Sequence, residues 1–361
     1  MAEPFEPAPD QYSVEIAEGL SRALAEAEER ELPLESARLI IFSDQHKGAR
    51  DGADDFQRCE RAYNAALAYY LETGHSLVVL GDAEELWECE IKEVMRAYRD
   101  TLALEAEFHR RGRYERMWGN HDSQWSKPRN AKRHLHPFFP GLRLREALKL
   151  RVTRAGVPLG LLFLAHGHQG TKDSDRFAWF SRLAVRHLWR RAQIGLGVAS
   201  ATPALDWELR ERHDRAMFEW ARAAPAKPVL ITGHTHRPVF GEGRPEPELP
   251  RPGEEVEREL GALGNEREDS ERAAALKAEL EWARAERRRV ATQRPTPVTP
   301  RCYFNTGCCS FGDGDITGLE IAEGEIRLVR WPDGAGRPLP LVLEHYPLDE
   351  VLEEVNGASA P

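Results

Sequence analysis

Five short, largely apolar runs, each followed at once by polar side chains, are the feature of this sequence that most constrains its fold. The runs occupy residues 38–42, 76–80, 114–118, 159–165 and 228–232. Their length of five to seven residues suits buried β-strands. Parallel strands of an open α/β sheet present their carboxyl ends to one crevice, so residues that follow these runs can meet although they lie far apart in sequence. The pattern therefore predicts an α/β fold with one shared site at the strand ends.

The side chains that follow the runs are of the types that bind divalent metals. They are Asp44 and His46 after the first run, Asp82 after the second, Asn120 and His121 after the third, His166 after the fourth, and His234 and His236 after the fifth. Carboxylate, amide and imidazole groups with no cysteine among them favour Mn²⁺, with Fe or Zn²⁺ as alternatives. Two ions about 3.5–4 Å apart require a bridging ligand, which a carboxylate provides and a neutral imidazole does not. We expect a two-metal centre bridged by Asp82.

Such a centre is suited to the hydrolysis of phosphoester bonds. It lowers the pKa of a bridging water far enough to form hydroxide near neutral pH. The hydroxide then attacks phosphorus in line, while both metals stabilise charge on the phosphoryl oxygens. The expected activity is that of a metal-dependent phosphatase or phosphodiesterase.

The same segments resemble the motifs of the calcineurin-like metallophosphoesterase family. They are Asp44-Gln45-His46, Gly81-Asp82, Gly119-Asn120-His121-Asp122, His166 and Gly233-His234-Thr235-His236, in the order of that family, with a later core strand around residues 303–308. The resemblance implies a four-layer α/β/β/α sandwich with helical insertions. It also implies that one metal is held by Asp44, His46, Asp82 and His236, and the other by Asp82, Asn120, His166 and His234.

The resemblance further implies roles for two residues that are not metal ligands. His121 would contact the phosphate or protonate the leaving oxygen, and Asp122 would orient its ring. One position departs from the family pattern: many members carry Asp or Asn three residues after the bridging aspartate, where this chain has Glu85. The longer acid can still contact a ligand from outside the metal shell. The histidines at positions 75, 109, 134, 136, 187, 213 and 345 are expected on the surface or in packing, and His168 has no clear role.

The region 170–224 is expected to form a helical, lid-like insertion between the fourth and fifth runs, because so long a connection is more often functional than idle. Its basic and aromatic residues would suit a phosphate that bears an apolar group; an amphipathic helical pair is the alternative. The region loosely resembles the helical insertion of UDP-2,3-diacylglucosamine pyrophosphatases, although that subgroup typically has arginine at His121 and aspartate at His168. Two alternative functions remain. One is a pyrophosphatase of a nucleotide-linked lipid or sugar, and the other is a non-catalytic binding scaffold of the same fold.

The remaining organisation follows from charge and proline content. Residues 1–36 are expected to contain a helix, between Tyr12 and Glu31, packed on a metallophosphoesterase domain of residues 37–361. Residues 242–300 alternate Glu and Arg between proline-rich flanks, which favours a charged helical insertion that is solvated or mediates self-association. Residues 316–321 and 326–331, separated by Glu323-Gly324, predict a hairpin.

Composition limits the partners and the compartment. The 361 residues carry a formal net charge of −10, which argues against nucleic acid as a partner and leaves a small phosphoester substrate. No apolar stretch is long enough for a transmembrane segment, and no secretory leader is recognised at the start. The five cysteines have no metal-ligand spacing and are expected to be reduced. We therefore expect a cytoplasmic protein.

Overall fold

Two multi-stranded sheets and several helices make up the described part of the chain. The computed structural model describes residues 10–51, 54–170, 203–241, 300–311, 314–333 and 339–357. These residues all belong to one unit, Met1–Arg244 with Pro300–Pro361. Residues 171–202 of the predicted lid-like insertion and residues 242–299 of the predicted charged insertion lie outside the described ranges.

The first sheet has six strands in the order β1-β6-β7-β8-β10-β9. These are β1 (Glu28–Pro33), β6 (Ala147–Arg154), β7 (Val157–Ala165), β8 (Val229–Thr232), β9 (Pro238–Gly241) and β10 (Tyr303–Thr306). The strands β7, β8 and β10 run parallel. Two of the five apolar runs, 159–165 and 228–232, therefore end at the same edge of this sheet.

The second sheet has seven strands in the order β13-β12-β11-β2-β3-β4-β5. These are β2 (Arg38–Phe42), β3 (Ser76–Leu80), β4 (Tyr114–Met117), β5 (Leu144–Arg145), β11 (Ile316–Ala322), β12 (Glu325–Trp331) and β13 (Leu341–Pro347). The strands β2, β3, β4 and β5 are parallel, and β11 joins β2 antiparallel. The other three apolar runs thus end together at one edge of the second sheet.

The helices of the described part precede, connect or follow these strands. They are α1 (Gln11–Glu26), α2 (Phe56–Glu72), α3 (Ile91–Ala97), α4 (Arg99–Arg110), α5 (Pro203–Ala223) and α6 (Leu348–Gly357). A short helical stretch, Pro128–Asn130, continues as a π-helix at Ala131–Leu135. No helix in the described ranges is long and apolar enough to cross a membrane.

The alternation of side chains along β2 shows how the sheets are packed. Leu39 and Ile41 belong to an apolar cluster that also contains Ile231 of the first sheet. Ile40 and Phe42 point the other way, into a cluster with Tyr63 of α2 and residues of α4. Successive residues of a strand face opposite sides, so β2 is covered on both faces, as its continuous apolar sequence predicts.

The N-terminal segment corrects one prediction. The helix α1 ends at Glu26 rather than continuing to Glu31, and Glu28–Pro33 forms β1, which pairs parallel with β6. Charged residues of β1 have partners across the pair, such as Glu29 with Arg151 and Glu31 with Thr153. The charged sequence has helical propensity, but tertiary pairing decides the outcome. The predicted hairpin is confirmed as β11 and β12, with positive φ angles of 56° and 81° at Glu323 and Gly324.

Candidate metal centre

The residues that directly follow the parallel strands have an unusual backbone conformation with positive φ. Asp44, His46, Asp82, His234 and His236 all have positive φ, between 49° and 71°. Residues other than glycine rarely adopt this conformation, and it concentrates at functional sites because the surrounding structure must hold it in place.

The glycines of these turns allow the segments to approach each other closely. A Cβ on Gly119 would lie 2.3 Å from Asp82 Oδ1 and 2.7 Å from His166 Cδ2. A Cβ on Gly233 would lie within the contact distance of Ser43 and Asp44. Gly81, with φ of 107°, would meet the His166 ring. The backbone is therefore arranged so that side chains from both sheets meet at one place.

Three groups of potential ligands form there. They are Asp44, His46 and His236; His46, Asp82 and His121; and Asp82, His166 and His234. Within each group the ligand atoms all lie within 4.8 Å of one another. The predicted ligands are thus brought together, with Asp82 and His46 each shared by two groups. Asn120, the remaining predicted ligand, is buried beside Gly119.

In the first group, the ligand atoms are about as far apart as atoms that bind the same metal ion. His236 Nε2 lies 3.2 Å from Asp44 Oδ1 and 3.1 Å from His46 Nε2. His46 Nε2 is 3.7 Å from Asp44 Oδ1 and 3.9 Å from Asp82 Oδ2. Metal bonds of about 2.0–2.1 Å in a tetrahedral arrangement separate two ligand atoms by roughly 3.4 Å. The observed spacings are compatible with one ion.

The third group, Asp82, His166 and His234, is oriented by backbone contacts. His166 Nδ1 lies 3.1 Å from the Leu80 carbonyl oxygen, so this nitrogen donates its proton and Nε2 is directed at Asp82 Oδ2, 3.1 Å away. The other oxygen of Asp82 accepts the backbone N–H of His121 at 2.8 Å. Asp44 is held in the same manner, since its Oδ2 accepts the N–H of His234 at 2.9 Å. Each carboxylate therefore uses one oxygen for the backbone and turns the other into the site.

Several buried polar atoms at the site would be better satisfied by a bound metal ion than by the protein groups around them. Within the described residues, Asn120 Oδ1 is buried with no hydrogen-bond partner, while Asp44 Oδ1 and His166 Nε2 are buried against other potential ligand atoms, His236 Nε2 at 3.2 Å and Asp82 Oδ2 at 3.1 Å. Burying such atoms without a partner is costly, and coordination of a cation is a common way to satisfy them. The oxygen and nitrogen donors present suit Mn²⁺, Fe or Zn²⁺.

The electrostatics of the site also favour a cation. Although burial alone would raise their pKa values, His236 and His166 hold the pKa of Asp44 well below its usual range, and His166 lowers that of Asp82. Against the effect of burial, Asp82 and Asp44 raise the pKa of His166 to about 9. Burial lowers the pKa of His234 well below its usual value. A divalent ion would satisfy the same carboxylates, and His234 is already in the neutral form that a ligand requires.

Glu85 contacts two rings of the site and corrects the role predicted for Asp122. Its Oε2 lies 2.7 Å from His121 Nδ1 and 3.1 Å from His46 Nδ1. The Asp122 carboxylate instead accepts the backbone N–H groups of Gly119 at 2.7 Å and Ala83 at 3.0 Å. Adjacency in sequence to His121 did not imply contact with its ring, because the Asp122 side chain turns back to the strand ends. Burial opposes the charge of Glu85, but the two rings lower its pKa to about 2.

Trp87 and His213 are two further residues near the site that the sequence did not single out for a role there. The indole of Trp87 stacks on the His121 ring, with centroids 3.7 Å apart. His213, on α5, is buried, and its ring lies 5.0 Å from that of His234. Neither residue belongs to a recognisable motif; only the proximity of Trp87 to Asp82 in the sequence was a usable signal.

A network of buried charges lies beside the ligand segments. Lys47 Nζ is 2.8 Å from Glu105 and 3.6 Å from Glu84. Arg116 pairs with Glu84 and lies 3.8 Å from Asp122 and 4.0 Å from Glu105. All five side chains are inaccessible to solvent. Three of them belong to the segments that also carry the predicted ligands, so the network connects those segments to the core.

Comparisons with known proteins add little to this geometry. No family model matches the chain, and no curated protein matches it. Among solved structures, the chain is similar to a conserved uncharacterized protein, a predicted phosphoesterase, from Streptococcus pneumoniae TIGR4. The TM-score is 0.28 and the identity 11%, with 85% of this chain and 97% of that chain covered. A similarity at this level carries no argument about activity, so the function has to be inferred from the residues themselves.

Proposed function

We propose that this protein is a hydrolase of phosphoester bonds that depends on two divalent metal ions, with Mn²⁺ as the expected metal. One ion would be held by Asp44, His46, Asp82 and His236, and the other by Asp82, Asn120, His166 and His234. The observation that carries the proposal is the position of Asp82 Oδ2, which lies 3.1 Å from His166 Nε2 and 3.9 Å from His46 Nε2, so one carboxylate oxygen faces a proposed ligand of each ion. The proposed fold is a four-layer α/β/β/α domain of residues 37–361 with insertions at 170–224 and 242–300, preceded by the helix-bearing residues 1–36.

Different side chains have different roles in the proposed reaction. When bound, the metals would supply a water of lowered pKa as nucleophile and would stabilise charge on the phosphoryl oxygens. Asp44 and Asp82 provide the negative charge that attracts the cations, and the backbone donors on their second oxygens keep them in place.

His121 is the proposed proton donor or phosphate contact. Its Nδ1 is held by Glu85 at 2.7 Å, and its ring face is covered by Trp87. In the protonated ring, Nδ1–H donates to Glu85 and Nε2–H is the proton that remains for the leaving oxygen. The Glu85 carboxylate holds the ring through Nδ1, so Glu85 rather than Asp122 is its proposed positioning residue.

The proposal is tested by Mn²⁺-dependent hydrolysis of an aryl phosphomonoester, an aryl phosphodiester and a nucleotide pyrophosphate. The wild type should cleave at least one of the three. His121→Ala should retain the metals but lose rate by roughly 10²–10⁴-fold, the usual contribution of general acid catalysis. The matched control is His345→Ala, a histidine whose side chain is 60% exposed.

Two outcomes would contradict parts of the proposal. If the metal content of His121→Ala collapsed, His121 would be a ligand, as its membership of one ligand group allows. If the wild type bound two metals and cleaved none of the three substrates, a non-catalytic scaffold would replace the hydrolase as the better account.

A further inference from the structure

The N-terminal helix α1 contacts the loop that carries His166. This loop, residues 166–170, follows β7, and its backbone packs directly on α1. A Cβ on Gly19 of α1 would lie 2.3 Å from the backbone nitrogen of Gly170. A Cβ on Gly170, which has φ of 86°, would lie 2.0 Å from the Glu15 carbonyl oxygen. The helix and the loop are therefore in backbone contact, which only glycine at these two positions permits.

A pair of hydrogen bonds connects the same helix to the same loop through α5. Tyr12 Oη lies 2.7 Å from His213 Nδ1, and His213 Nε2 lies 2.8 Å from the Gly167 carbonyl oxygen. A carbonyl oxygen only accepts, so Nε2 carries the proton. In the neutral ring, which burial favours, Nδ1 must then accept from the Tyr12 hydroxyl. The direction of both bonds is thus determined: Tyr12 fixes the His213 tautomer, and His213 fixes Gly167.

The loop held in this way carries one of the proposed ligands and touches the segment of another. Gly167 follows His166, and a Cβ on Gly167 would lie 3.2 Å from His234 Cβ. The backbone N–H of Gly233 also donates to the His166 carbonyl oxygen at 3.0 Å. A shift of the loop would therefore move His166 relative to His234. Asp44 and His46 lie on the segment after β2, and His236, although on the same segment as His234, is directed at those two residues.

We propose that Tyr12, His213 and Gly19 are positioning residues that hold the loop 166–170, so that His166 and His234 are arranged to bind the second metal. The proposal rests on the metal centre proposed above and assigns α1 a role in it. The α1–α5 interface then serves one metal position selectively, and the other position does not depend on it.

The test is Mn²⁺ titration calorimetry on the metal-stripped full chain in two backgrounds. His46→Ala retains Asp82, His166 and His234, while His234→Ala retains Asp44, Asp82 and His236. Tyr12→Phe removes one hydroxyl and should weaken Mn²⁺ binding about fivefold in the first background, the equivalent of about 1 kcal/mol. It should leave binding unchanged in the second background. Gly19→Ala should follow the same pattern with a loss at least as large.

The control is Ser21→Ala, which removes a different α1–α5 contact. Trp220 Nε1 donates to Ser21 Oγ at 2.9 Å, a hydrogen bond on the same interface that does not involve the loop. A merely structural role of α1 would make Ser21→Ala and Tyr12→Phe equivalent. Amide hydrogen exchange of the metal-free protein supplies a readout independent of metal: Tyr12→Phe should accelerate exchange at residues 167–170, and Ser21→Ala should not.

The outcomes separate this inference from the proposed function. If the wild type binds Mn²⁺ but Tyr12→Phe and Gly19→Ala change neither the affinity nor the exchange of the loop, the positioning role is wrong and the metal centre stands. Equal weakening in both backgrounds would also overturn it. If the wild type binds no Mn²⁺, the metal centre itself is wrong, whatever the exchange of the loop shows.

Discussion

Replacing Arg116 with methionine should destabilise the protein strongly, because Arg116 neutralises several buried carboxylates. Its guanidinium pairs with Glu84 and lies 3.8 Å from Asp122 and 4.0 Å from Glu105, and all these side chains are inaccessible to solvent. Two opposite charges about 4 Å apart attract by about 4 kcal/mol at an effective dielectric constant of about 20. Removing one partner of a buried pair typically costs about 3–5 kcal/mol, since the other charge stays buried. We expect a loss in that range.

The assay is urea denaturation of the metal-stripped chain, followed by circular dichroism. The matched control is Arg22→Met, since Arg22 pairs with Glu146 at 3.1 Å but its side chain is 55% exposed. An exposed pair of this kind contributes about 0–1 kcal/mol. The double variant Arg116→Met with Glu84→Gln should recover part of the loss, since it removes the stranded charge as well. A loss below about 1 kcal/mol for Arg116→Met, or strict additivity in the double variant, would refute the reasoning.

Three further predictions concern the site and its surroundings. Glu85→Gln should reduce turnover, because it replaces the carboxylate that orients the His121 ring, and should weaken Mn²⁺ binding at the His46 position, because the same oxygen lies 3.1 Å from His46 Nδ1; unchanged turnover and metal content, measured by elemental analysis, would contradict this. Gly119→Ala should weaken Mn²⁺ binding in calorimetry, because its Cβ would lie 2.3 Å from Asp82 Oδ1; unchanged affinity would contradict it. Burial lowers the pKa of His213 to about 4 from 6.5, so its contribution to stability is present above pH 6.5 and is lost as pH falls toward 4. The wild type should lose about 3 kcal/mol relative to His213→Gln over that range, measured by urea denaturation; parallel pH profiles would contradict it.

The meeting of the predicted ligand segments at the strand ends could be predicted from the sequence because two local signals coincide there. An apolar run gives a buried strand, and a turn with polar side chains directly after it places those side chains at the strand end. Asp44 and Asp82, for example, follow β2 and β3, which are parallel neighbours. Both signals are local, so no knowledge of the tertiary structure was needed.

Other features could not be predicted because they depend on the direction of side chains or on distant pairing. Asp122 follows His121, yet its carboxylate binds the backbone at Gly119 and Ala83, and the His121 ring is contacted by Glu85 instead. The contacts of Asp122 thus differ from those that its predicted role requires. The strand β1 was missed because its charged sequence has no alternation of apolar residues, and only pairing with β6 makes it a strand.

The buried charges show a further limit of reasoning from composition. Lys47 and Arg116 are residue types that are rarely buried, so a sequence offers no reason to place them in the core. They are buried here because Glu84 and Glu105 are available within reach of both. This pairing of buried cations with buried carboxylates is visible only in the folded structure.

The most direct test of the central claim is the metal content of the wild type beside that of Asp82→Asn. Each protein would be stripped, titrated with Mn²⁺ and analysed for bound metal per chain, with circular dichroism to establish that the fold is retained. The account predicts two Mn²⁺ ions per wild-type chain and a clear loss in Asp82→Asn, because the neutral amide cannot replace the carboxylate that is proposed to bridge the two ions. A folded wild type that binds no metal, or an Asp82→Asn variant that binds two ions as tightly as the wild type, would contradict it.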